Sequence, residues 1–260
     1  MEEHKSLRVL VTGAGSGLGA ALSDAWEARG ARVLATDRDP AGLAGRRYVD
    51  THDITEPADW ARVRQRVVAD WGGLDVLVNN AGVPGGGRLD VADVDEWRWL
   101  FETNLFGMVS GLREFVPVFK QQRSGQIVNV ASLAGLVHPA GMASYNAVKA
   151  AVVALTETAG HELAGHGVRA SVVCPSYFRT NLMDRMQGAD TGLAQVMSGL
   201  VTGAPLGADE IAEAILAGLD RGEELIVPDP AARDAVRLKQ EDRVGYDAVM
   251  RRQATKLDQL

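Results

Sequence analysis

Val9-Leu10-Val11-Thr12-Gly13-Ala14-Gly15-Ser16-Gly17-Leu18-Gly19 begins as a β-branched apolar run and breaks into glycines. From Ala20 to Arg29 the chain continues with apolar residues at three- and four-residue spacing. The first part reads as a buried strand, the middle as a tight turn and the last as a helix. In that setting, glycines let a backbone come close to a ligand, and the helix start offers unpaired N–H groups and a partial positive charge to an anion. A pyrophosphate-binding turn is the favoured reading; a purely structural turn is the alternative.

The same alternation continues outward. Val33–Ala35 reads as a second strand, Tyr48-Val49 as the start of a weaker third, and Val76–Val78, Ile127–Val130, Val168–Val173 and Leu225–Val227 as four more. Pro57–Trp71 and Ala147–Leu163 carry helical periodicity between them. Strand–helix alternation dictates right-handed crossovers and a parallel sheet covered on both faces. The expectation is an α/β, Rossmann-like, doubly wound sheet of about seven strands in a single domain over residues 1–260. Residues 176–206 interrupt the rhythm as a long connection, and 230–260 form a charged helical tail.

Composition narrows the function classes. The 260 residues have a net charge of −7 and one cysteine. An acidic chain without a basic face disfavours nucleic acid as a partner. Cys174 lies in an apolar run with no cation beside it, which suits an inert buried thiol, and no internal disulfide is possible. The N-terminus has no signal-peptide pattern, and no run approaches the length of a membrane span. The expected setting is cytoplasmic, with a small-molecule substrate and no metal, because the histidines lack ligand spacing.

The unusual residues fall just after strands: Thr12-Gly13, Asp37, Asp53, Asn79-Asn80-Ala81-Gly82, Ser132 and Pro175-Ser176. In an open parallel sheet these carboxyl ends share one edge, where ligands bind. Asp37 lies 18 residues past Gly19, where a carboxylate accepts hydrogen bonds from a ribose and repels a 2′-phosphate. NAD is therefore expected over NADP. Two alternatives stand beside this: Asp37 as a helix N-cap, and Arg38 holding a 2′-phosphate if Asp37 turned away.

Tyr145 and Lys149 are four apart in Tyr145-Asn146-Ala147-Val148-Lys149 and share one helix face. An ammonium there would stabilise the phenolate and lower its pKa, and a strand-end Ser132 would hydrogen-bond a substrate oxygen. Alone, such a pair is usually a solvated helix face. Behind a dinucleotide turn it becomes a catalytic candidate.

Together these motifs resemble the short-chain dehydrogenase/reductase family. Thr12 to Gly19 match its Thr-Gly-x-x-x-Gly-x-Gly turn, Asn79 to Gly82 its Asn-Asn-Ala-Gly element, Asn104 its catalytic asparagine, and Ser132, Tyr145 and Lys149 its Ser and Tyr-x-x-x-Lys. The resemblance implies a soluble NAD-dependent oxidoreductase acting on CH–OH groups, assembled as a homodimer or homotetramer. It also implies roles. Asn104 would support a water-linked proton relay. Gly13, Ser16, Gly17, Leu18 and Gly19 would hold the phosphates, and Asp53 and Ile54 would face the adenine. Asn80, Ala81, Gly82, Pro175, Ser176 and Phe178 would line the cofactor, and Thr180 would meet the carboxamide. The chain departs from the family's usual Pro-Gly at Pro175-Ser176, where a side chain would crowd the nicotinamide or add a hydrogen bond.

On the substrate side, Ala134, Met142, Tyr177 and Met183 are expected to line the pocket. The stretch 176–206 reads equally as an apolar lid or as a hairpin packed on the body. The expected substrate is a neutral, fairly apolar secondary alcohol or ketone. His138 reads as a loop residue, Arg179 as a carboxylate binder or a solvent-facing side chain, and the mixed charges of the tail as a solvated helix, or less readily a subunit contact. A silent NAD-binding regulator and a non-redox lyase or epimerase remain the alternative functions.

Overall fold

A computed structural model describes residues 6–257. Seven parallel strands form one sheet in the order β3-β2-β1-β4-β5-β6-β7. They are β1 (Arg8–Thr12), β2 (Arg32–Asp37), β3 (Tyr48–Thr51), β4 (Val76–Asn79), β5 (Gly125–Val130), β6 (Val168–Val173) and β7 (Leu225–Ile226). All seven strands expected from the sequence are present, the weak third included.

Each central strand is apolar on both faces, because both are covered. Val9 and Val11 of β1 point into one core with Leu22 and Trp26 of α1 (Gly17–Ala28) and Ile211 and Ile215 of α8 (Ala208–Asp220). Leu10 points the other way, with Leu77 and Ile127, onto Trp60 and Val63 of α2 (Pro57–Trp71) and Phe115 of α4 (Gly107–Gln122). A residue period of two thus feeds two cores from one strand.

The strand order reverses at β1. The chain runs outward to β3, then returns across β1 to β4, leaving a crevice between the carboxyl ends of β1 and β4. Asn80 bridges the two ends: its amide N–H donates to Thr12 Oγ1 (3.1 Å) and its side-chain Nδ2 to Thr12 O (2.9 Å). Behind it, Asn79 Nδ2 donates to Asn129 Oδ1 (2.9 Å), and Asn129 Nδ2 to Thr156 Oγ1 (3.0 Å). This buried polar chain ties β4 to β5 and to α6 (Ala143–Leu163). Asn79 Oδ1 at its end has no partner, but the two bonds still link the side chains of neighbouring strands and helix in one arrangement.

The remaining helices are α3 (Val94–Phe101), α5 (Ala134–Val137), α7 (Thr191–Thr202), α9 (Pro230–Glu241) and α10 (Arg243–Leu257). No helix among the described residues is long and apolar enough to cross a membrane. No group of three His, Cys, Asp or Glu side chains among them is placed to hold a metal.

Candidate active site

A cleft of about 1160 Å³ runs along the carboxyl edge of the sheet. The residues expected to serve catalysis, the cofactor and the substrate pocket all border it, from Gly13 and Asp37 at one end to Ser132, Tyr145 and Met183 at the other, whereas His138, Cys174 and Arg179 do not.

The end expected to hold the phosphates is built from backbone. Gly17 sits at φ 53°, a left-handed conformation that disfavours side chains, and a Cβ there would stand 2.7 Å from Thr180 Oγ1. At Gly19 a Cβ would lie 2.1 Å from the carbonyl oxygen of Gly13. Ser16 caps α1 with no side-chain hydrogen bond, and no acidic residue occupies the first turn. The first N–H groups of the helix are therefore left to an anion, and these residues fit a pyrophosphate.

Asp37 ends β2, buried, with each carboxylate oxygen taking one backbone N–H: Oδ2 from Gly15 and Oδ1 from Asp39, both at 3.0 Å. It is pinned against the phosphate turn and does not act as a cap. Arg38 beside it is exposed. At the neighbouring strand end, Asp53 Oδ1 accepts from the Thr55 N–H (3.0 Å) and hydroxyl (2.7 Å), and Trp60 Nε1 donates to Ile54 O (2.9 Å). His52, buried under these residues, stacks edge-on against Trp60 with ring centroids 4.3 Å apart. Desolvation lowers its pKa to about 4, so the ring is neutral there. Sequence reasoning passed over this residue.

At the other end, α6 starts at Ala143, one turn earlier than the periodicity implied, so Tyr145 and Lys149 both lie in its opening turns. Lys149 Nζ is buried, donates to Val130 O (3.2 Å) and lies 5.6 Å from the centre of the Tyr145 ring. Ser132 Oγ accepts from the Ala134 N–H (3.2 Å), and its hydroxyl favours the ionised form of the Tyr145 phenol. Desolvation pushes the phenol up to about 12, against the pull of Ser132, and lowers the Lys149 ammonium to about 8. The sequence expectation was the reverse for Tyr145. In the protein alone burial outweighs the neighbouring ammonium, because the phenolate loses its hydration.

Asn104 sits within a single π-helical turn, Glu102–Phe106, between α3 and α4. Such turns interrupt a helix and often mark functional positions. Its Oδ1 accepts from the Val83 N–H (3.0 Å) and its Nδ2 donates to Val83 O (3.2 Å), so the amide is committed at both ends to the segment after β4. Pro175 holds the serine segment from the β6 side, its carbonyl accepting from the Leu133 N–H (2.8 Å). Ser176 and Phe178 follow it along the cleft wall.

The substrate end departs most from the sequence reading. Met142 packs with Leu193 and Met197 of α7, and Tyr145, Met183 and Leu257 pack against that cluster. Tyr177 Oη donates to the Met142 sulfur (3.6 Å). Arg179 turns away from the cleft, donating to Ala204 O (2.8 Å) and pairing with Glu210 (3.7 Å). His138 ends α5 in a left-handed conformation and meets Lys239 Nζ through Nδ1 (2.7 Å). The tail is not simply solvated. Tyr246 is buried with its hydroxyl donating to Val137 O, and Met250, Gln253 and Leu257 border the cleft. Positions 246, 250, 253 and 257 form one helical stripe, a spacing present in the sequence but hidden among the charges.

Residues 7–190 match the family model described as short chain dehydrogenase. The 3-oxoacyl-[acyl-carrier-protein] reductase FabG of Thermotoga maritima is 32% identical over 219 residues, covering 80% of this chain and 87% of that protein. A 3-alpha-(or 20-beta)-hydroxysteroid dehydrogenase of Mycobacterium tuberculosis is 35% identical over 183 residues, 67% of this chain and 70% of that one. Among solved structures, a short-chain dehydrogenase/reductase from Burkholderia phymatum in complex with NAD superposes with a TM-score of 0.85 at 30% identity, covering 93% of this chain and 95% of that one. One from Burkholderia cenocepacia in complex with NADP gives 0.81 at 32%, covering 94% and 97%.

Proposed function

Because the chain belongs to the short-chain dehydrogenase/reductase family and is an NAD(P)-binding oxidoreductase, we propose that it acts with NAD on a neutral, apolar secondary alcohol or ketone. The observation that carries this reading is the meeting of Ser132, Tyr145 and Lys149 in the same cleft as the phosphate turn. The dinucleotide, when bound, supplies or accepts the hydride.

The chain's residues do the rest. The Tyr145 phenol gives a proton to the substrate oxygen in reduction and takes it back in oxidation. Ser132 orients that oxygen and shares its developing charge. Lys149 favours the ionised phenol at the moment of transfer, an effect that grows in a cleft closed to water. Asn104 holds the π-turn and the segment after β4 together. Since its amide is committed to Val83, a water relay toward Lys149 would draw on main-chain groups of that turn.

The pinned carboxylate of Asp37 supports NAD over NADP. The alternative needed Asp37 to turn away, and two backbone N–H groups oppose that movement. Assembly as a homodimer or homotetramer through α4 and α6 is part of the same proposal. Phe106, 52% exposed at the entry to α4, is an apolar group such a contact would cover. Light scattering reads that assembly.

The deciding experiment follows NADH formation by the purified protein over apolar secondary alcohols, with Tyr145→Phe alongside. We expect turnover with NAD⁺ and a fall in kcat/KM of about 10²- to 10⁴-fold in the variant, with NADH affinity kept. Tight NADH binding without turnover of any alcohol in the panel would overturn this substrate class and leave a different substrate or a cofactor-sensing role.

A further inference from the structure

The family match ends at Asp190, yet much of the apolar wall facing Tyr145 comes from beyond it. We propose that α10 is the far wall of the substrate chamber and selects an elongated, uncharged apolar ketone or secondary alcohol whose body lies between α7 and α10. The inference rests on the redox reading above and names its substrate shape.

Three observations support it. First, Tyr246, Met250 and Leu257 fall on one stripe of α10 bordering the cleft. With a rise of about 1.5 Å per residue, that stripe is about 16 Å long, far more than a small alcohol would span. Second, Leu257 packs in the cluster that holds Leu193, Met197 and the Tyr145 ring, so the wall abuts the reacting group.

Third, the wall is fastened at both ends. Tyr246 donates to Val137 O in α5, just past Ser132. At the far end Arg88 Nη1 donates to Leu257 O (3.1 Å), while its Nε (2.8 Å) and Nη2 (3.1 Å) grip Asp190. Asp190 in turn caps α7, its carboxylate accepting from the Leu193 N–H (3.2 Å). One guanidinium thus clasps the start of α7 to the end of α10. Arg185, Gln253 and Lys256 border this end and are exposed, while the groups packed together beside Tyr145 are apolar: Met142, Met183, Leu193, Met197 and Leu257.

The test uses the full chain and methyl ketones of increasing length with NADH. For the native protein kcat/KM should rise by about fourfold per added methylene until the chamber is filled. Met250→Trp should break that rise early, costing the longest ketones at least about tenfold relative to the shortest. Met250→Ala should move the break to longer or bulkier ketones. A general folding defect would lower every member alike and leave the slope intact.

Binding of unreactive fatty amides of the same lengths to the protein with NADH, read by nucleotide fluorescence, gives a second readout independent of turnover. Length-dependent amide binding that Met250→Trp abolishes would support the chamber even if no ketone turned over, in which case the redox reading alone falls. Turnover with a slope that neither variant changes would overturn the chamber and leave the redox reading standing. Absence of both length-dependent binding and length-dependent turnover would also overturn it.

Discussion

Lys149 and Tyr145 share a helix face, yet burial drives their proton affinities in opposite directions, to about 8 and about 12. At neutral pH the pair is a phenol beside an ammonium, a proton-loaded arrangement suited to reducing a ketone. Its first proton leaves near pH 8, as a property of the pair. Oxidation of an alcohol requires that loss. Its kcat/KM should therefore climb with pH through about 8 while that for ketone reduction falls, and parallel pH profiles in the two directions check this. Stability carries a second signature. The folded pKa of Lys149 lies below its ordinary 10.5, so burying the ammonium is a full penalty below about pH 8 and fades as pH rises to about 10.5. Lys149→Met should thus be catalytically crippled but more stable than the native protein at pH 7, on the order of 2 kcal/mol after losing the hydrogen bond to Val130. That advantage should vanish by about pH 10.5. Urea unfolding at both pH values measures it, and a variant less stable at pH 7 would contradict the argument.

At the scale of elements, the wall formed by α7 and α10 depends on a junction of three: the segment after β4, the start of α7 and the end of α10. Arg88 serves all three because its planar fork reaches two oxygens of Asp190 and the Leu257 carbonyl together. Arg88→Lys keeps the charge but not the fork. It should raise KM for the substrate by about tenfold while changing kcat less and NADH affinity little, and should speed proteolysis within residues 243–257. Equal losses in substrate and cofactor binding would mean a general defect instead. Such a junction could not be read from the sequence, since residues 88, 190 and 257 share no motif. Elements whose signals are local were legible: α2 occupies Pro57–Trp71 as its periodicity predicted. The charged tail was legible as helix, but not as a wall. Its stripe carries only three apolar side chains over about three turns, and nothing local says that a cleft lies opposite.

Across the whole molecule, the site draws on the carboxyl ends of β1 to β6, so one ligand filling the cleft would span both halves of the sheet. That convergence was legible because a parallel sheet sends every strand end to one edge, whatever the side chains. The balance of charge against burial at Tyr145 was not, because it depends on residues distant in sequence: Tyr177, and the side chains of α7 and α10 that pack in the same cluster as its ring. A ligand that ties the halves together must show in global stability. At one hundred times its dissociation constant, NADH should stabilise the fold by about 2.7 kcal/mol. For a chain of this size that corresponds to a melting temperature higher by about 5–10 °C. NADPH at the same concentration should shift it much less, because its 2′-phosphate would face the buried, pinned carboxylate of Asp37. Asp37→Ser removes that charge and leaves Arg38 free to meet the phosphate, so the two shifts should converge. Equal shifts in the native protein would show that Asp37 does not discriminate, and a variant that lost both shifts would place Asp37 in the framework of the phosphate turn rather than in cofactor choice.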